Sequence, residues 1–255
     1  MNTKASWLIA EIFNIELTIG NELMLNMTIF DHIDSADQHT LLFAHLNIHG
    51  ISEASKSKDM MSYIRLADFH WIDGMPIIFF LKALGHQINT SWRLTFLDWQ
   101  NSFLTKCNQR SLNVFLLGAS ERNIEMATRE LSTRYPKICF SHRDGYVNNE
   151  AQNREVVDQI NNFAPDILLV GMGMPKQEEW IWNNHRALNC KVILPLGGYF
   201  DYIAGATFTP PRWAGKVGLE WFFRFIAAPK KLAYRYFLEP IPVVFGVLAQ
   251  LLRKK

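Results

Sequence analysis

The stretch Asp166–Trp180, DILLVGMGMPKQEEW, decides the fold of this chain. Its first part, Ile167–Val170, is a short apolar run typical of a fully buried parallel strand. The turn Gly171-Met172-Gly173 lets backbone approach a ligand, and Pro175 then starts a helix with an acidic first turn. This combination favours a cradle for a phosphate or another anion, and an ordinary strand-to-helix turn explains it equally well. Lys176 stands where the dinucleotide fingerprint has its third glycine, so the stretch does not match that fingerprint.

Strands and helices alternate along the C-terminal half of the chain. Strands are predicted at Val114–Leu117, Ile138–Phe140 and Val192–Leu196, and helices at Glu121–Arg134, with Ser120 as N-cap, and at Glu150–Phe163. Such alternation indicates a parallel sheet with right-handed crossovers. Ligands bind these sheets at the carboxyl ends of the strands, where the glycine turns at 118, 171–173 and 197–198 all fall. Three glycine turns at one edge favour a real site.

The N-terminal half has weaker signals. Strands are predicted at Leu23–Phe30, Thr40–Asn47 and Tyr63–Ala67, helices at Pro76–Leu84 and Asp98–Asn108, and a helix or loop over the polar residues 51–60. We therefore expect an α/β protein, in which a Rossmann-like parallel sheet with flanking helices forms a body over residues 1–205. We expect residues 206–255 to form a helical, membrane-contacting C-terminal appendage.

The charge distribution is the reason for separating this appendage. Residues 211–255 hold nine Lys/Arg and two Asp/Glu, whereas the first 210 residues hold seventeen and twenty-two. Aromatic and basic residues interleave from Lys216 to Tyr236, and the apolar run Ile241–Leu252 precedes three basic residues. This pattern suits an anionic membrane surface. A nucleic-acid surface would have no use for the apolar run, so no nucleic acid is expected, and an oligomer interface or core packing is the remaining alternative.

Other sequence features indicate a cytoplasmic protein. The cysteines Cys107, Cys139 and Cys190 match no metal spacing and are interpreted as reduced thiols. The N-terminus lacks the pattern of a signal peptide, and the longest apolar run is about half of what spans a bilayer. The histidines other than His45 form no ligand spacing and are treated as ordinary; they include His32, His39, His49, His70, His86, His142 and His185.

Ordered motifs from about residue 40 to 237 resemble those of the WecG/TagA/CpsF glycosyltransferase family. They are Asp73-Gly74, Arg93 and Asp98, Phe115–Gly118, Tyr135-Pro136, Asp144–Tyr146, Val170–Gly173, Pro175–Glu178, Gly197–Asp201, Ala204-Gly205, Pro211–Trp213, and Gly218–Trp221 with Arg224 and Pro229. The resemblance implies transfer of a sugar from a UDP-sugar to a polyprenyl-diphosphate-linked saccharide, with inversion, on the inner face of the bacterial cytoplasmic membrane. It implies that Asp73 is the catalytic base and that Gln177 lines the site.

An inverting transfer is one in-line displacement, which needs a base for the acceptor hydroxyl and donors for the leaving diphosphate. Asp73 can be that base, and an aspartate before Pro76 can equally serve as a helix N-cap. Backbone N–H groups near Gly171 and Gly173 can hold the diphosphate, together with Lys176, Arg93 or Arg212. The chain has no D-x-D triplet, which favours stabilisation without a metal or other cofactor.

The sequence leaves the substrate sugar open. The predicted substrate-binding residues are His45, Asn47, Arg93, Gly118, Gly171, Gly173, Lys176, Gln177, Glu178, Gly198, Asp201, Arg212, Glu220 and Arg224. His45 replaces a threonine common in the family and either changes the sugar preference, since histidine titrates near neutral pH, or is an ordinary strand-end histidine. N-acetylmannosamine, its uronic acid, glucose and glucuronic acid all fit such a family. A non-catalytic nucleotide-binding module is the alternative function, and a homo-oligomer is possible.

Overall fold

One eight-stranded sheet organises the computed structural model, which describes residues 7–13, 15–216 and 218–253. The strands are β1 Leu8–Ile12, β2 Ile15–Ile19, β3 Leu41–Leu46, β4 Phe69–Ile72, β5 Asn113–Gly118, β6 Cys139–Arg143, β7 Ile167–Gly171 and β8 Val192–Pro195. Their spatial order is β1-β2-β4-β3-β8-β7-β5-β6. Among the described strands β1 and β2 form the only antiparallel pair, so the predicted parallel α/β sheet is confirmed.

Helices cover both faces of this sheet. They are α1 Glu22–Ile33, α2 Ile48–Ala54, α3 Lys58–Leu66, α4 Met75–Ala83, α5 Phe96–Arg110, α6 Glu121–Arg134, α7 Glu150–Phe163, α8 Lys176–Asn184, α9 Tyr199–Ile203, α10 Arg212–Lys216, α11 Glu220–Ala227, α12 Pro229–Ala233 and α13 Pro240–Arg253, with 3-10 turns at Thr90–Trp92 and His185–Ala187 and a π-helix at Tyr234–Leu238. Alternate residues of the central strands face opposite cores. Leu116 and Leu169 pack with α5 and α6, whereas Phe115 and Leu168 pack with α7 and α8.

Most element predictions in the C-terminal half are confirmed. The predicted helices Glu121–Arg134 and Glu150–Phe163 have the observed bounds. The Ser120 side chain caps α6 by accepting a hydrogen bond from the Asn123 N–H at 3.4 Å. Pro175 is the N-cap of α8 and lies one residue before its first helical residue.

Two strand predictions in the N-terminal half are wrong. The segment Leu23–Phe30 is helical and belongs to α1, because Asn21 caps the Met24 N–H at 3.1 Å and Glu22 occupies the first turn. Its buried residues recur at helical spacing, which the almost continuous apolar sequence obscures. The segment Tyr63–Ala67 covers the last turns of α3, and the strand that follows is β4. The hairpin of β1 and β2 was not predicted.

The C-terminal residues 206–253, which we call the arm, return to the body. Helix α13 lies against α2 and the N-terminal hairpin, and Val243 and Val247 on it are buried. At its far end the Gln250 side chain accepts a hydrogen bond from the Phe13 N–H at 3.3 Å and donates one to the Glu11 carbonyl at 3.2 Å. The arm is therefore fixed to the body along the whole of α13.

The helical segment Tyr234–Leu252 is longer than the apolar run in the sequence indicates. Its 19 residues are, by length and composition, long and apolar enough to cross a membrane, and it is the only such segment in the described part of the chain. The expectation that every apolar segment is too short to span a bilayer is therefore wrong for this segment. The π-helix extends α13 towards its N-terminus and so lengthens it. Here the segment lies on the body with most of its residues exposed.

Gly118 shows how tightly β5 and β7 approach at the carboxyl edge. It has φ +152°, and a Cβ added there would lie 2.2 Å from the Gly171 carbonyl oxygen. We expect Gly118→Ala to lower the free energy of unfolding by about 3 kcal/mol, because the two strand ends must separate. Gly205→Ala is the control, since φ is +68° there and an added Cβ meets nothing within 4 Å. The only cost there is the strain of a left-handed backbone, which lowers the free energy of unfolding by about 1–2 kcal/mol. Equal losses in chemical denaturation would contradict this account.

Candidate active site

Three adjoining cavities lie where the arm covers the carboxyl ends of the strands. The arm cavity, of about 370 Å³, lies between the start of α4 and the arm, and the central cavity, of about 520 Å³, lies over β3 and β8. The cradle, of about 440 Å³, is bounded by the glycine turns after β7 and β8 and the N-terminus of α6. Asp73 lines both the arm cavity and the central cavity. The central cavity and the cradle share Gly173, Gly198 and Asp201.

Asp73 follows β4 directly and is held by β3. Its backbone N–H donates to the Leu46 carbonyl at 2.9 Å, and its Oδ2 lies 3.5 Å from the Asn47 Nδ2. Asn47 is itself fixed, because its Oδ1 caps α2 by accepting from the Gly50 N–H at 2.8 Å. The N-cap of α4 is Gly74, and no side chain in the described part of the chain caps that helix. The interpretation of Asp73 as a helix cap is therefore wrong, and its carboxyl group is left for the cleft.

The surroundings of Asp73 raise its pKa. Burial and the nearby negative charge of Glu220 raise the pKa to about 6, against the opposing effects of Arg224, Arg93 and the Asn47 amide. A carboxyl group with this pKa is mostly ionised at neutral pH and is a stronger base than an ordinary aspartate. These are the properties that general-base catalysis requires.

Glu220, on the arm, contacts one arginine of the body and one of its own helix. Its carboxylate accepts hydrogen bonds from Arg93, which follows a 3-10 turn of the body, and from Arg224 of α11 at 2.5 Å. Arg93 is also paired with Asp98 at 3.2 Å. The Arg224 guanidinium lies 5.2 Å from the centre of the Tyr202 ring, and its buried Nε has no partner in the described part of the chain. The network therefore brings a cation with an unused donor to the cavities that Asp73 lines.

The cradle offers backbone and side-chain donors to an anion. Gly173 has φ +80° and borders open space, as does Gly198 on the facing turn. Lys176 is exposed, with its Nζ 5.7 Å from the centre of the Tyr146 ring. Asp201 closes one side and accepts a hydrogen bond from the Asn123 amide at 2.8 Å. A turn of glycines, a lysine and a helix N-terminus suit a phosphate group.

Gln177 shapes this cradle from inside the protein. It is fully buried, and its Oε1 accepts hydrogen bonds from the Gly173 N–H at 3.3 Å and the Gly197 N–H at 2.9 Å. Its Nε2 donates to Glu178 at 2.7 Å, and burial raises the pKa of that carboxyl group to about 8. Neither residue lines the three cavities. In this structure Gln177 ties the two glycine turns together and Glu178 fixes Gln177, and their contact with the substrate stays a prediction.

His45 lies in the floor of the central cavity. Its ring stacks on Trp71 with centres 5.3 Å apart, and its buried Nδ1 has no partner among the described residues. Burial lowers the pKa of His45 to about 4, so the ring is neutral at physiological pH. The expectation that this histidine titrates near neutral pH is therefore wrong, although it does line the site.

Two further predicted residues, Gly118 and Arg212, are not placed in the site by the structure. Gly118 packs against Gly171 and lines none of the three cavities, and the Arg212 side chain lies outside the described part of the chain. Sequence analysis missed Arg235 and Tyr236, which line both the arm and central cavities, and treated His49 as ordinary. Arg235 and Tyr236 reach the site only because the arm folds back, and no local pattern reveals that.

One cluster in the described part of the chain has metal-ligand geometry. His49, Glu53 and Glu239 place one ligand atom each within 4.8 Å of one another. Lys56 already neutralises this cluster, with its Nζ 2.7 Å from Glu53 and 4.0 Å from Glu239. The carboxylates therefore have partners without an ion.

A parallel α/β sheet with a basic carboxylate, arginines and an anion cradle at its carboxyl edge has the groups that a group-transfer enzyme needs. Comparison with protein families identifies the family to which the chain belongs. The model of the Glycosyl transferase WecG/TagA/CpsF family matches residues 11–255, and the chain belongs to this family. The match begins well before residue 40 and includes β2 and the last two residues of β1. Since the family consists of glycosyltransferases, the chain is an enzyme of that class rather than a non-catalytic binding module.

Curated relatives cover almost the whole chain. Proteins named N-acetylglucosaminyldiphosphoundecaprenol N-acetyl-beta-D-mannosaminyltransferase from the Staphylococcus aureus strains NCTC 8325 / PS 47, COL and MRSA252 are each 29% identical over 249 residues. The alignments cover 96% of this chain and 94% of each relative. The similarity therefore includes both the body and the arm.

The role of Gln177 can be tested by stability. We expect Gln177→Ala to lower the free energy of unfolding by about 2 kcal/mol, because two buried N–H groups and Glu178 lose their partner. The neighbouring Lys176→Ala is the matched control and should stay within about 0.5 kcal/mol of the wild type, since Lys176 is exposed. Denaturant titrations that show equal effects would contradict the buried role of Gln177.

Proposed function

We propose that this glycosyltransferase moves a sugar from a UDP-sugar to a polyprenyl-diphosphate-linked saccharide, with inversion at the anomeric carbon, for cell-surface polysaccharide synthesis. The donor sugar is of the N-acetylmannosamine type, its uronic acid, glucose or glucuronic acid. The names of the Staphylococcus aureus relatives support the first choice, together with an N-acetylglucosaminyl-diphosphoundecaprenol acceptor. The family membership supports the reaction class.

The observation that carries the proposal is Asp73, a carboxyl group of raised pKa where the arm and central cavities meet. In the proposed reaction the acceptor hydroxyl gives its proton to Asp73 while its oxygen attacks the anomeric carbon. The bond from that carbon to the β-phosphate oxygen breaks on the opposite face, and UDP leaves. Asn47 orients the carboxylate through the contact at 3.5 Å.

The cradle suits the donor diphosphate. Its N–H groups around Gly173 and Gly198, the Lys176 ammonium and the N-terminus of α6 all favour negative charge. The central cavity connects this region with Asp73, so a donor held in the cradle would direct its sugar towards the base. As leaving-group charge develops, these donors and the Arg224 guanidinium supply the stabilisation, and the proposal requires no metal or other cofactor.

The arm cavity suits the lipid-linked acceptor. Met75, Pro76, Trp221 and Phe237 give it an apolar lining, and Arg93, Arg224 and Arg235 add positive charge. An isoprenoid diphosphate has the complementary combination of an apolar chain and a strong anion. Substrate entering from this side would reach Asp73 through the arm cavity, whereas the cradle adjoins the central cavity.

The outer face of the arm suits a membrane surface. Helix α13 exposes one apolar stripe, and α11 adds exposed aromatic side chains; together they are Ile241, Val244, Phe245, Leu248 and Leu252 with Trp221 and Phe222. Basic residues flank these helices in the sequence. We propose that the arm lies in the interface of the inner leaflet, with its cations on lipid phosphates, and that the enzyme is peripheral there.

The base assignment predicts the effect of Asp73→Asn. Turnover of the UDP-sugar with a lipid-diphosphate acceptor should fall by roughly 10²–10⁴-fold, the usual contribution of a general base. Stability at neutral pH should not fall, because the folded state raises the pKa and so already disfavours the carboxylate. Asp158→Asn, on the exposed side of α7, is the control and should transfer sugar normally. Near-normal turnover of Asp73→Asn would remove Asp73 from the chemistry.

The donor assignment predicts a binding defect in Lys176→Ala. Calorimetry should find UDP affinity about tenfold weaker, because one cation near the diphosphate is lost. Lys106→Ala, on α5 away from the cradle, provides a charge-matched control with unchanged affinity. If UDP binds Lys176→Ala as tightly as the wild type, the diphosphate lies elsewhere.

The membrane assignment predicts that Phe245→Gln and Leu248→Gln each weaken binding to anionic vesicles by about tenfold, since each removes an apolar side chain from the interface. These side chains are 67% and 48% exposed, so the fold should be unaffected. Met126→Gln, with a side chain 43% exposed on α6, is the control. Co-sedimentation that is the same for all three variants and the wild type would contradict a membrane role for α13.

A further inference from the structure

A histidine and a glutamate meet where the arm closes on the body. His49 lies in the first turn of α2, and its Nδ1 is 2.7 Å from Oε1 of Glu239, the residue before α13. Glu239 is 4% exposed, whereas the His49 side chain is 21% exposed and lines both the arm and central cavities. Asp73 lines the same two cavities.

The contact with Glu239 determines which His49 nitrogen carries hydrogen. A carboxylate only accepts hydrogen bonds, so Nδ1 must donate its hydrogen to Glu239. In the neutral ring Nε2 then has a lone pair and no hydrogen. The charged groups facing the ring are Glu239 and Glu53, which favour protonation, and Arg235, which together with burial outweighs them and lowers the pKa of His49.

The free nitrogen points to a particular ligand chemistry. Nε2 has no hydrogen-bond partner among the described residues. It is also not among the fully buried side-chain atoms that lack a partner, so a ligand can reach it. An atom that only accepts hydrogen bonds does not suit a phosphate, which also only accepts. The cavities already provide Arg224 and Arg235 for the diphosphate. Nε2 therefore suits a hydroxyl group.

We propose that His49 accepts a hydrogen bond from a hydroxyl of the acceptor's terminal sugar and that Glu239 is the positioning residue that fixes the His49 tautomer. This inference rests on the proposed function and identifies the group that distinguishes one acceptor sugar from another. His49 belongs to the body and Glu239 to the arm, so the acceptor site is complete only when the arm is docked.

Two substitutions separate the nitrogens of His49. His49→Asn keeps a donor near the position of Nδ1, which can still contact Glu239, but it lacks Nε2. His49→Gln reaches the position of Nε2 with its amide oxygen. The assay uses UDP-N-acetylmannosamine with N-acetylglucosaminyl diphosphate on a polyprenyl chain, and a series of acceptors each lacking one sugar hydroxyl.

We expect His49→Asn to raise the KM for the acceptor about tenfold and to leave the donor KM and vesicle binding unchanged. His49→Gln should recover most of this loss. With the wild type, one deoxy acceptor should have a KM raised by about the same factor. With His49→Asn, the KM for that deoxy acceptor should rise no further. Glu239→Gln, which no longer selects the tautomer, should raise the KM for the complete acceptor and leave that deoxy acceptor unaffected.

An unchanged acceptor KM in His49→Asn would overturn the inference. Equal loss in the Asn and Gln variants accompanied by weaker vesicle binding would also overturn it, because His49 would then only hold the arm. These outcomes differ from failure of the proposed function, in which the wild type itself transfers no sugar to the lipid-linked acceptor.

Discussion

The ionic contact of Glu220 with Arg93 and Arg224 is the interaction on which the site depends. The Glu220 side chain is 11% exposed, and removing one partner of a buried ion pair is strongly destabilising. Arg93 is fixed on the body by Asp98, so Glu220 ties the start of α11 to that point. The same charge raises the pKa of Asp73. Glu220 thus contributes both to docking of the arm and to the basicity of the proposed base, and a body without its arm would lose the Glu220 charge and the Arg224 cation.

Sequence patterns predict the parts of the fold whose signals are local. Helix α7 lies between an asparagine cap and a left-handed C-cap, and β7 is a short apolar run followed by glycine, so both have the predicted bounds to within a residue. The sequence of α1 favours a strand because apolar residues occur on its exposed as well as its buried side. Leu23 is 61% exposed and Met27 55% exposed. Only the cap at Asn21 distinguishes this segment as a helix, and tertiary contacts with α5 determine the outcome.

The candidate site shows the same division between local and long-range information. The carboxyl edge, Asp73 and the glycine turns follow from strand order, which alternation predicts. The burial of Gln177 does not follow, because a polar residue in the first turn of a helix is usually exposed, and its partner Gly197 is 20 residues away. The contact between His49 and Glu239 joins residues 190 positions apart. It exists only because α13 returns across α2, and neither residue has a neighbouring motif that indicates it.

The central claim is that burial and Glu220 make Asp73 a base suited to neutral pH. Carbon-13 NMR of the aspartate side-chain carboxyl groups, with Asp73→Asn to assign the signal, measures this pKa directly. The account predicts a midpoint of about 6 in the wild type and a lower one in Glu220→Gln, in which the repelling charge is removed and both arginines are left to favour the carboxylate. A wild-type midpoint near the ordinary value of 3.8, or one that Glu220→Gln does not change, would contradict the account.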